Sequence, residues 1–138
     1  MPSNLRSIIM SQDLTPEIML DSILEQDKRY SRLAYCFMID ALNYTTTRMP
    51  VRRHITGQEL SMGIRNYAIQ QFGIAARLVL EQWGITETRH FGDMVFNLID
   101  GGLMRKTDED SIDDFNEVFD FESEFEAKYR ILIDKTQL

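Results

Sequence analysis

A run of basic residues just before a predicted helix start is the part of this sequence best suited to bind an anion. Arg48, Arg52, Arg53 and His54 precede Thr56–Glu59, which has the pattern of a capping box. The dipole and free N–H groups of a helix N-terminus favour negative charge, and guanidinium groups hold phosphates as forked donors. These four residues are therefore the candidate site for nucleic acid or another anion. The alternative is that they pair with the acidic C-terminal segment.

The predicted helix that would read DNA in a winged-helix domain, at about residues 87–100, carries unsuitable charges. Its exposed positions include Glu87, Asp93 and Asp100 against a single arginine, Arg89. A major-groove helix normally presents Arg, Lys, Asn or Gln to bases and phosphates. Nucleic acid is therefore the second choice of partner.

Four side chains, two of them already named, are of types that bind metal ions. His54, Glu59, His90 and Asp93 suit zinc or iron, but they lack the spacing of a known metal motif. The chain also lacks the common nucleophile and nucleotide-binding motifs, and Cys36 falls in an apolar helix where we expect an inert thiol. We therefore predict no catalytic residue, no metal site and no cofactor, and an enzyme around His54 and Glu59 is a distant third alternative.

Aromatic and acidic residues alternate from Phe115 to Tyr129. The rings of Phe115, Phe119 and Phe125 are the candidate contacts for a partner protein, because aromatic side chains offer large contact areas and carboxylates steer basic partners. The alternative is that the rings complete the protein's own core while the acids face water.

The negative charge is concentrated near the C-terminus. The formal net charge is −7, and residues 107–138 contain eleven Asp and Glu but three Lys and Arg. This segment repels phosphates and attracts a basic protein surface. A protein is therefore the first choice of partner.

Length and composition predict one compact domain over residues 1–138, with 1–14 as a candidate flexible stretch and 107–138 as an acidic C-terminal part. A single cysteine fits a reducing compartment, and neither a signal peptide nor a membrane span is recognisable. We expect a cytoplasmic protein that does not contact a membrane.

Apolar residues at three- and four-residue spacing predict five helices, at roughly 16–27, 30–46, 57–72, 75–83 and 88–100. Thr15 is the expected N-cap of the first helix, with Pro16 at its first position. Gly84 is expected to end the fourth helix in the left-handed conformation, and the pair Gly101–Gly102 to close the fifth. Leu33 and Leu78 are placed on inward faces.

After Gly101–Gly102 the spacing of the hydrophobic residues changes. Leu103–Lys106 and Glu117–Phe121 are predicted to be short strands around an acidic loop, followed by a terminal helix from Phe121. Three helices followed by a hairpin are the order of a winged-helix domain. The predicted fold is mainly α: two N-terminal helices plus a winged-helix-like three-helix unit with a short β-hairpin and a C-terminal helix.

The pieces RHITGQEL, GIRNYAIQQFG, ARLVLEQWGI and FGDMVF, with DKRYSRLAYCF upstream, carry a family resemblance. The chain resembles an uncharacterised family of small bacterial proteins, mainly from Planctomycetes and Verrucomicrobia. The resemblance covers about residues 20–125 and implies a one-domain cytoplasmic bacterial protein, without implying any activity or ligand. The sequence thus favours a non-catalytic protein-interaction or regulatory module, with a nucleic-acid-binding winged-helix-like regulator as the alternative.

Overall fold

The computed structural model describes residues 15–51, 53–105 and 110–126, and within them the chain is mainly helical. The helices are α1 (Pro16–Gln26), α2 (Arg32–Thr47), α3 (Gly57–Phe72), the short α4 (Ala76–Gln82) and α5 (Thr88–Asp100). Two 3₁₀ helices, Gly73–Ala75 and Ile112–Phe115, join them, and residues 121–126 are also helical. The five predicted helices are confirmed, with ends shifted by one or two residues.

Side-chain caps set where the first three helices begin. Thr15 caps α1 by accepting a hydrogen bond from the Ile18 N–H at 3.2 Å, and Ser31 caps α2 in the same way. At α3 the Thr56 hydroxyl accepts from the Glu59 N–H at 3.1 Å, while Glu59 accepts from the Thr56 N–H at 3.0 Å. The predicted capping box is therefore confirmed.

Glycines in the left-handed region end α4 and α5, as predicted. Gly84 has φ 84° and Gly102 has φ 87°, which residues with a Cβ adopt only with strain. After each glycine the next N–H turns back to the helix: Ile85 donates to the Leu80 carbonyl at 2.9 Å, and the turn at Gly102 is built alike. Both helices therefore close with a Schellman turn.

The core lies between α2, α3 and α5. Its fully buried side chains include Tyr35 from α2, Ile64 from α3, and Phe91, Met94 and Leu98 from α5. The backbones of α2 and α3 approach closely where Gly63 faces Thr45. These three helices form the frame on which the remaining elements are placed.

The C-terminal segment differs from the predicted hairpin, because no strand occurs anywhere in the described ranges. Leu103 and Met104 belong to the turn after α5, while 117–120 has no regular structure and 121 begins a helix. Lys106 lies outside the described residues. The predicted strands are therefore absent where the structure describes them, and so is the wing that the winged-helix interpretation needs.

Phe115 fixes the C-terminal segment to the helices. Its ring packs against Gly57 of α3 and Gly92 of α5, where an added Cβ would lie 2.8 to 3.2 Å from Asp114 or Phe115 atoms. The Thr88 hydroxyl donates to the Phe115 carbonyl at 2.6 Å. Beyond it, Phe119, Phe121 and Phe125 form a ring cluster with Phe91. The expected continuation of the terminal helix through Tyr129, Leu132 and Ile133 lies outside the described residues.

None of the helices in the described part of the chain is both long enough and apolar enough to cross a membrane.

Candidate functional site

The guanidinium of Arg53 is held by the helix start that follows it. Its Nη1 and Nη2 atoms donate to the two Glu59 carboxylate oxygens at 3.0 and 2.6 Å, and Nη1 also donates to the His54 carbonyl at 3.0 Å. This ion pair, together with the Thr56 N–H, lowers the pKa of Glu59 from 4.5 to about 2. Arg53 is therefore a partner of the α3 capping box.

The other described basic candidates, His54 and Arg48, each contact another side chain and do not form one cluster with Arg53. The His54 Nε2 atom lies 2.7 Å from an Asp110 carboxylate oxygen. Arg48 lies over the Tyr44 ring, 3.6 Å from the ring centroid, and Arg52 is outside the described residues. The structure thus places Arg53 and His54 side by side but gives each a carboxylate partner, and Arg48 belongs to a different surface.

Arginines of α3, α4 and α5 form ion pairs with the described part of the acidic C-terminal segment. Arg65 of α3 pairs with Glu124, Arg77 of α4 lies 3.8 Å from Glu126, and Arg89 of α5 lies 3.5 Å from Asp113. Of the basic candidates that the structure describes, His54 has a partner in this segment, Asp110. Arg48 and Arg53 form no ion pair with its described residues, 110–126, and the three arginines named here were not among the candidates.

The rings expected to contact a partner are largely internal. Phe115 and Phe125 are each 4% exposed, and Phe119 is partly buried against the same core. Phe125 packs edge-on against Phe121 with centroids 5.1 Å apart. The structure therefore assigns these rings to the core, which is the alternative that the sequence left open.

The four metal-ligand candidates do not meet. Within the described ranges, no group of three or more His, Cys, Asp or Glu side chains is arranged to hold a metal ion. The His90 Nδ1 atom accepts from the Thr86 N–H at 3.0 Å, and Asp93 is taken by Arg29 and Tyr30. Cys36, expected in the core, is exposed on α2.

A polar network that the sequence did not indicate joins the α1–α2 connection to α5. It consists of Asp27, Arg29, Tyr30, Tyr35, Asp93 and Asn97. The Asn97 amide donates to Asp27 at 2.8 Å and to the Tyr35 hydroxyl at 2.9 Å. The Tyr30 hydroxyl donates to Asp93 at 3.0 Å, and Arg29 bridges the two carboxylates.

The charges of this network satisfy one another. Hydrogen bonds from Arg29 hold the pKa of Asp27 well below its usual range, while burial raises the pKa of Tyr30 and of Tyr35. Both tyrosines are almost completely buried, and each has a hydrogen-bond partner. This network fastens the α1–α2 connection to α5.

Five rings from α2, α3 and the end of α4 form a half-exposed row, which we call the aromatic face. Its members are Phe37, Tyr44, Tyr67, Phe72 and Trp83. Centroid distances run from 5.2 Å for Tyr44 and Tyr67 to 5.9 Å for Phe72 and Trp83. Only Phe37 of the five is buried; the other four are partly exposed. The row is therefore packed like a core on its inner side and open on the other.

Three exposed aliphatic side chains lie close in sequence to the rings of the aromatic face. Leu33 lies one helical turn before Phe37 and is 68% exposed. Ile74 follows Phe72 and is 77% exposed, and Leu78 on α4 is 59% exposed. The prediction that Leu33 and Leu78 point inward is therefore wrong, because no described element covers these positions of α2 and α4.

A separate cleft of about 270 Å³ opens between the end of α2, the start of α3, α5 and the 3₁₀ helix Ile112–Phe115. Its lining is mostly apolar, with Arg53, His54, Arg105, Asp110 and Asp114 among its polar members. It shares no lining residue with the aromatic face. Two of the predicted anion-binding residues, Arg53 and His54, therefore line this cleft.

No protein-family model, no curated protein and no solved structure matches this chain. The resemblance to small bacterial proteins therefore stays a prediction, and a function has to be argued from the chain's own surfaces.

Proposed function

We propose that this protein is a non-catalytic interaction module and that it binds another protein through the aromatic face. The observation that supports the proposal most strongly is the half-exposed row of five rings, with Leu33, Ile74 and Leu78 exposed beside it. Scattered apolar residues are normal on a protein surface, but a contiguous apolar patch is typical of an interaction site. Tyr, Trp and Phe are also the residues enriched at the centres of interfaces.

The packing of the rings favours binding without rearrangement. Phe37 contacts three of the other rings, at centroid distances of 5.3 to 5.6 Å, so the row is held from beneath by a buried member. Rigid aromatic side chains lose little conformational entropy when a partner covers them. We therefore expect the aromatic face to act as a preformed docking surface.

The charges around the face define the chemistry of the partner. Asp40, exposed on α2 beside Tyr67, forms no ion pair with any described residue, and its charge helps to raise the pKa of Tyr67 after burial. On the α4 side, Arg77 is one cation between Glu81 at 2.9 Å and Glu126 at 3.8 Å. Arg48, over the Tyr44 ring, offsets Asp40, so the excess negative charge lies on the α4 side at Glu81 and Glu126. The matching partner therefore presents an apolar segment with Lys or Arg beside it.

A nucleic-acid-binding regulator is the weaker alternative. Phosphate binding through the loop before α3 requires Arg53 and His54 to leave Glu59 and Asp110, and Arg48 stacks at the aromatic face instead. The winged-helix form of this alternative also needs a wing, and residues 103–105 and 117–126 form no strand. Exposed pairs of this kind contribute only about 0–1 kcal/mol, so the carboxylates that lie beside the cations and would repel phosphates, together with the strand-free segments, favour a protein partner.

The cytoplasm is the proposed setting, from the single cysteine of the sequence and its exposure on α2. The family resemblance is kept as part of the proposal, and it supplies no partner.

Photo-crosslinking inside the source cell tests the docking surface. A benzophenone amino acid replaces Leu78, beside the aromatic face, or Ile18, which is 44% exposed on α1 and belongs to no part of the face. We expect position 78 to capture one protein that position 18 does not capture. The purified partner should then bind the unmodified chain directly, with a Lys- or Arg-flanked apolar segment at the crosslink.

Three results would contradict the proposal. The first is the same adducts at both positions, the second is a crosslink from position 78 to a second copy of this chain, and the third is a crosslink from position 78 to nucleic acid. Each would remove the aromatic face as a docking surface for a different protein.

A further inference from the structure

We propose that the cleft beside the α3 start binds a small zwitterion with an apolar side chain, such as an apolar α-amino acid. The proposal rests on the cleft alone and is independent of the protein partner. Its elements are an apolar floor, cationic groups at the mouth and carboxylates at the same mouth.

The floor is built from aliphatic and aromatic side chains of three helices. Leu42 of α2, Leu60 of α3, and Val95 and Ile99 of α5 line it, together with the ring of Phe115. All five belong to the core or pack directly against it, and Phe115 is also held between two glycines. A fixed apolar wall of this kind is typical of small-molecule sites.

The size of the cleft limits the occupant. An engineered cavity of about 150 Å³ accepts benzene, so a cleft of about 270 Å³ accommodates roughly ten to twelve non-hydrogen atoms. Leucine and phenylalanine fall near this size. A nucleotide or a long-chain lipid is too large for the enclosed part.

The positive side of the mouth suits a carboxylate. Arg105 lines the cleft and has no carboxylate partner among the residues the structure describes. Arg53 lies beside it with its forked donors partly used by Glu59. The N-terminus of α3 opens on the same cleft at Thr56 and Gly57, and its dipole favours negative charge.

The negative side of the mouth suits an ammonium group. Asp110 and Asp114 line the cleft, on the segment that carries Phe115. Asp110 is paired with His54, so the ammonium group falls to Asp114, one oxygen of which accepts from the Ser111 N–H at 3.3 Å. A carboxylate offers about four lone-pair sites, so Asp114 can accept from a further donor.

The mixture of signs decides between ligand classes. The carboxylate of a fatty acid would be repelled by the carboxylates that line the cleft. The ammonium group of an apolar amine would likewise be repelled by the guanidinium groups. A zwitterion satisfies both while its side chain covers the floor. Charge complementarity therefore points to the amino-acid class.

Calorimetric titration of the full chain with L-leucine and with L-phenylalanine tests the site. N-acetylphenylalanine lacks the ammonium group and phenylalanine methyl ester lacks the carboxylate, and we expect each to bind at least tenfold more weakly than phenylalanine. Thr46, exposed at the end of α2, lines the cleft, whereas its exposed neighbour Thr47 does not. We expect Thr46→Phe to abolish binding by filling the cleft and Thr47→Phe to leave it unchanged.

The circular dichroism spectra of the two variants should match that of the unmodified chain, which separates loss of binding from loss of fold. The proposal is overturned if neither amino acid binds at millimolar concentration. It is also overturned if decanoate or the methyl ester binds as tightly as phenylalanine, or if Thr46→Phe binds as well as Thr47→Phe.

Discussion

Gly63 decides how closely α2 and α3 can approach. It is buried in the middle of α3, and a Cβ added there would collide with the side chain of Thr45. The Thr45 hydroxyl is itself fixed, because it donates to the Ala41 carbonyl at 2.8 Å. The side chain therefore cannot rotate away without giving up a hydrogen bond, and glycine is required by packing.

The substitution Gly63→Ala is therefore expected to destabilise the protein by about 1–3 kcal/mol through overpacking. In a helix without this contact, the same change stabilises by roughly 0.5–1 kcal/mol, so the sign itself is informative. Urea unfolding of Gly63→Ala, Thr45→Ala and the double variant measures the coupling between the two positions. A stabilising effect of Gly63→Ala, or additive effects in the double variant, would contradict the close approach.

The sequence indicated neither residue of this contact as important. Thr45 was visible as part of a β-branched run near a helix end, and Gly63 as a small residue inside a helical pattern. The contact between Gly63 and Thr45 depends on how α2 and α3 pack against each other. The periodicity of the residues within each helix carries no information on this packing. Close approaches between elements are therefore the part of the fold that sequence patterns miss.

The start of α3 shows the opposite case, where local chemistry sufficed. The Thr56–Glu59 capping box depends on residues three positions apart, so it could be predicted and is confirmed. The structure adds Arg53, whose guanidinium makes a forked contact with the same carboxylate. The helix start thereby uses a cation that the sequence had assigned to an external anion.

This contact gives a pH-dependent contribution to stability. Because Arg53 first, and the Thr56 N–H second, lower the pKa of Glu59 from 4.5 to about 2, the ionised form is favoured in the folded state. The contribution is fully present above pH 4.5 and is lost as the pH falls through about 2. We expect Glu59→Gln to be less stable than the unmodified chain at pH 7, and the difference to vanish towards pH 2.

Urea unfolding across this pH range measures the difference. Glu25→Gln is the matched control, since Glu25 is exposed on α1 and forms no ion pair with a described residue. A Glu59→Gln difference that does not change with pH would show that the ion pair contributes nothing.

The C-terminal segment shows why short strands were wrongly predicted. Val118, Phe119 and Phe121 have the composition of a strand, but strand propensity reflects packing on a half-buried surface as much as backbone preference. Here the Val118 N–H donates to the Thr88 hydroxyl at 3.1 Å, and Phe119 and Phe121 pack on Phe91 of α5. A helix therefore supplies the partner that a second strand would have supplied.

The faces of α2 and α4 were misjudged for a related reason. Leu33 and Leu78 continue the apolar stripes of their helices, and a stripe predicts burial only as far as a neighbouring element covers it. The short α4 and the turn before it leave these ends open. Leu33 and Leu78, which the sequence had placed inward, therefore lie among the exposed positions of the candidate docking surface.

Over the whole molecule, the described part of the acidic C-terminal segment, residues 110–126, is bound to the helices. Ion pairs to arginines of α3, α4 and α5 and the rings of Phe115 and Phe125 hold it in place. The net charge of −7 nevertheless leaves the surface predominantly acidic. A basic partner is therefore attracted at long range, and this steering weakens as salt is added.

The central claim is that a protein binds the aromatic face, and affinity purification from the source organism tests it most directly. Three tagged chains are compared: the unmodified chain, Leu33→Asp/Leu78→Asp, and Ile18→Asp as the matched control, each with and without nuclease treatment. The substituted residues are exposed, so the fold should persist in all three.

We expect one protein to be retained by the unmodified chain and by Ile18→Asp, with and without nuclease, and to be lost from Leu33→Asp/Leu78→Asp. Titration of the purified pair should then show affinity reduced at least tenfold by the double substitution. Retention by all three chains would contradict the account, and so would proteins that disappear on nuclease treatment. The latter result would direct attention to Arg48, Arg52 and Arg53 as a nucleic-acid site.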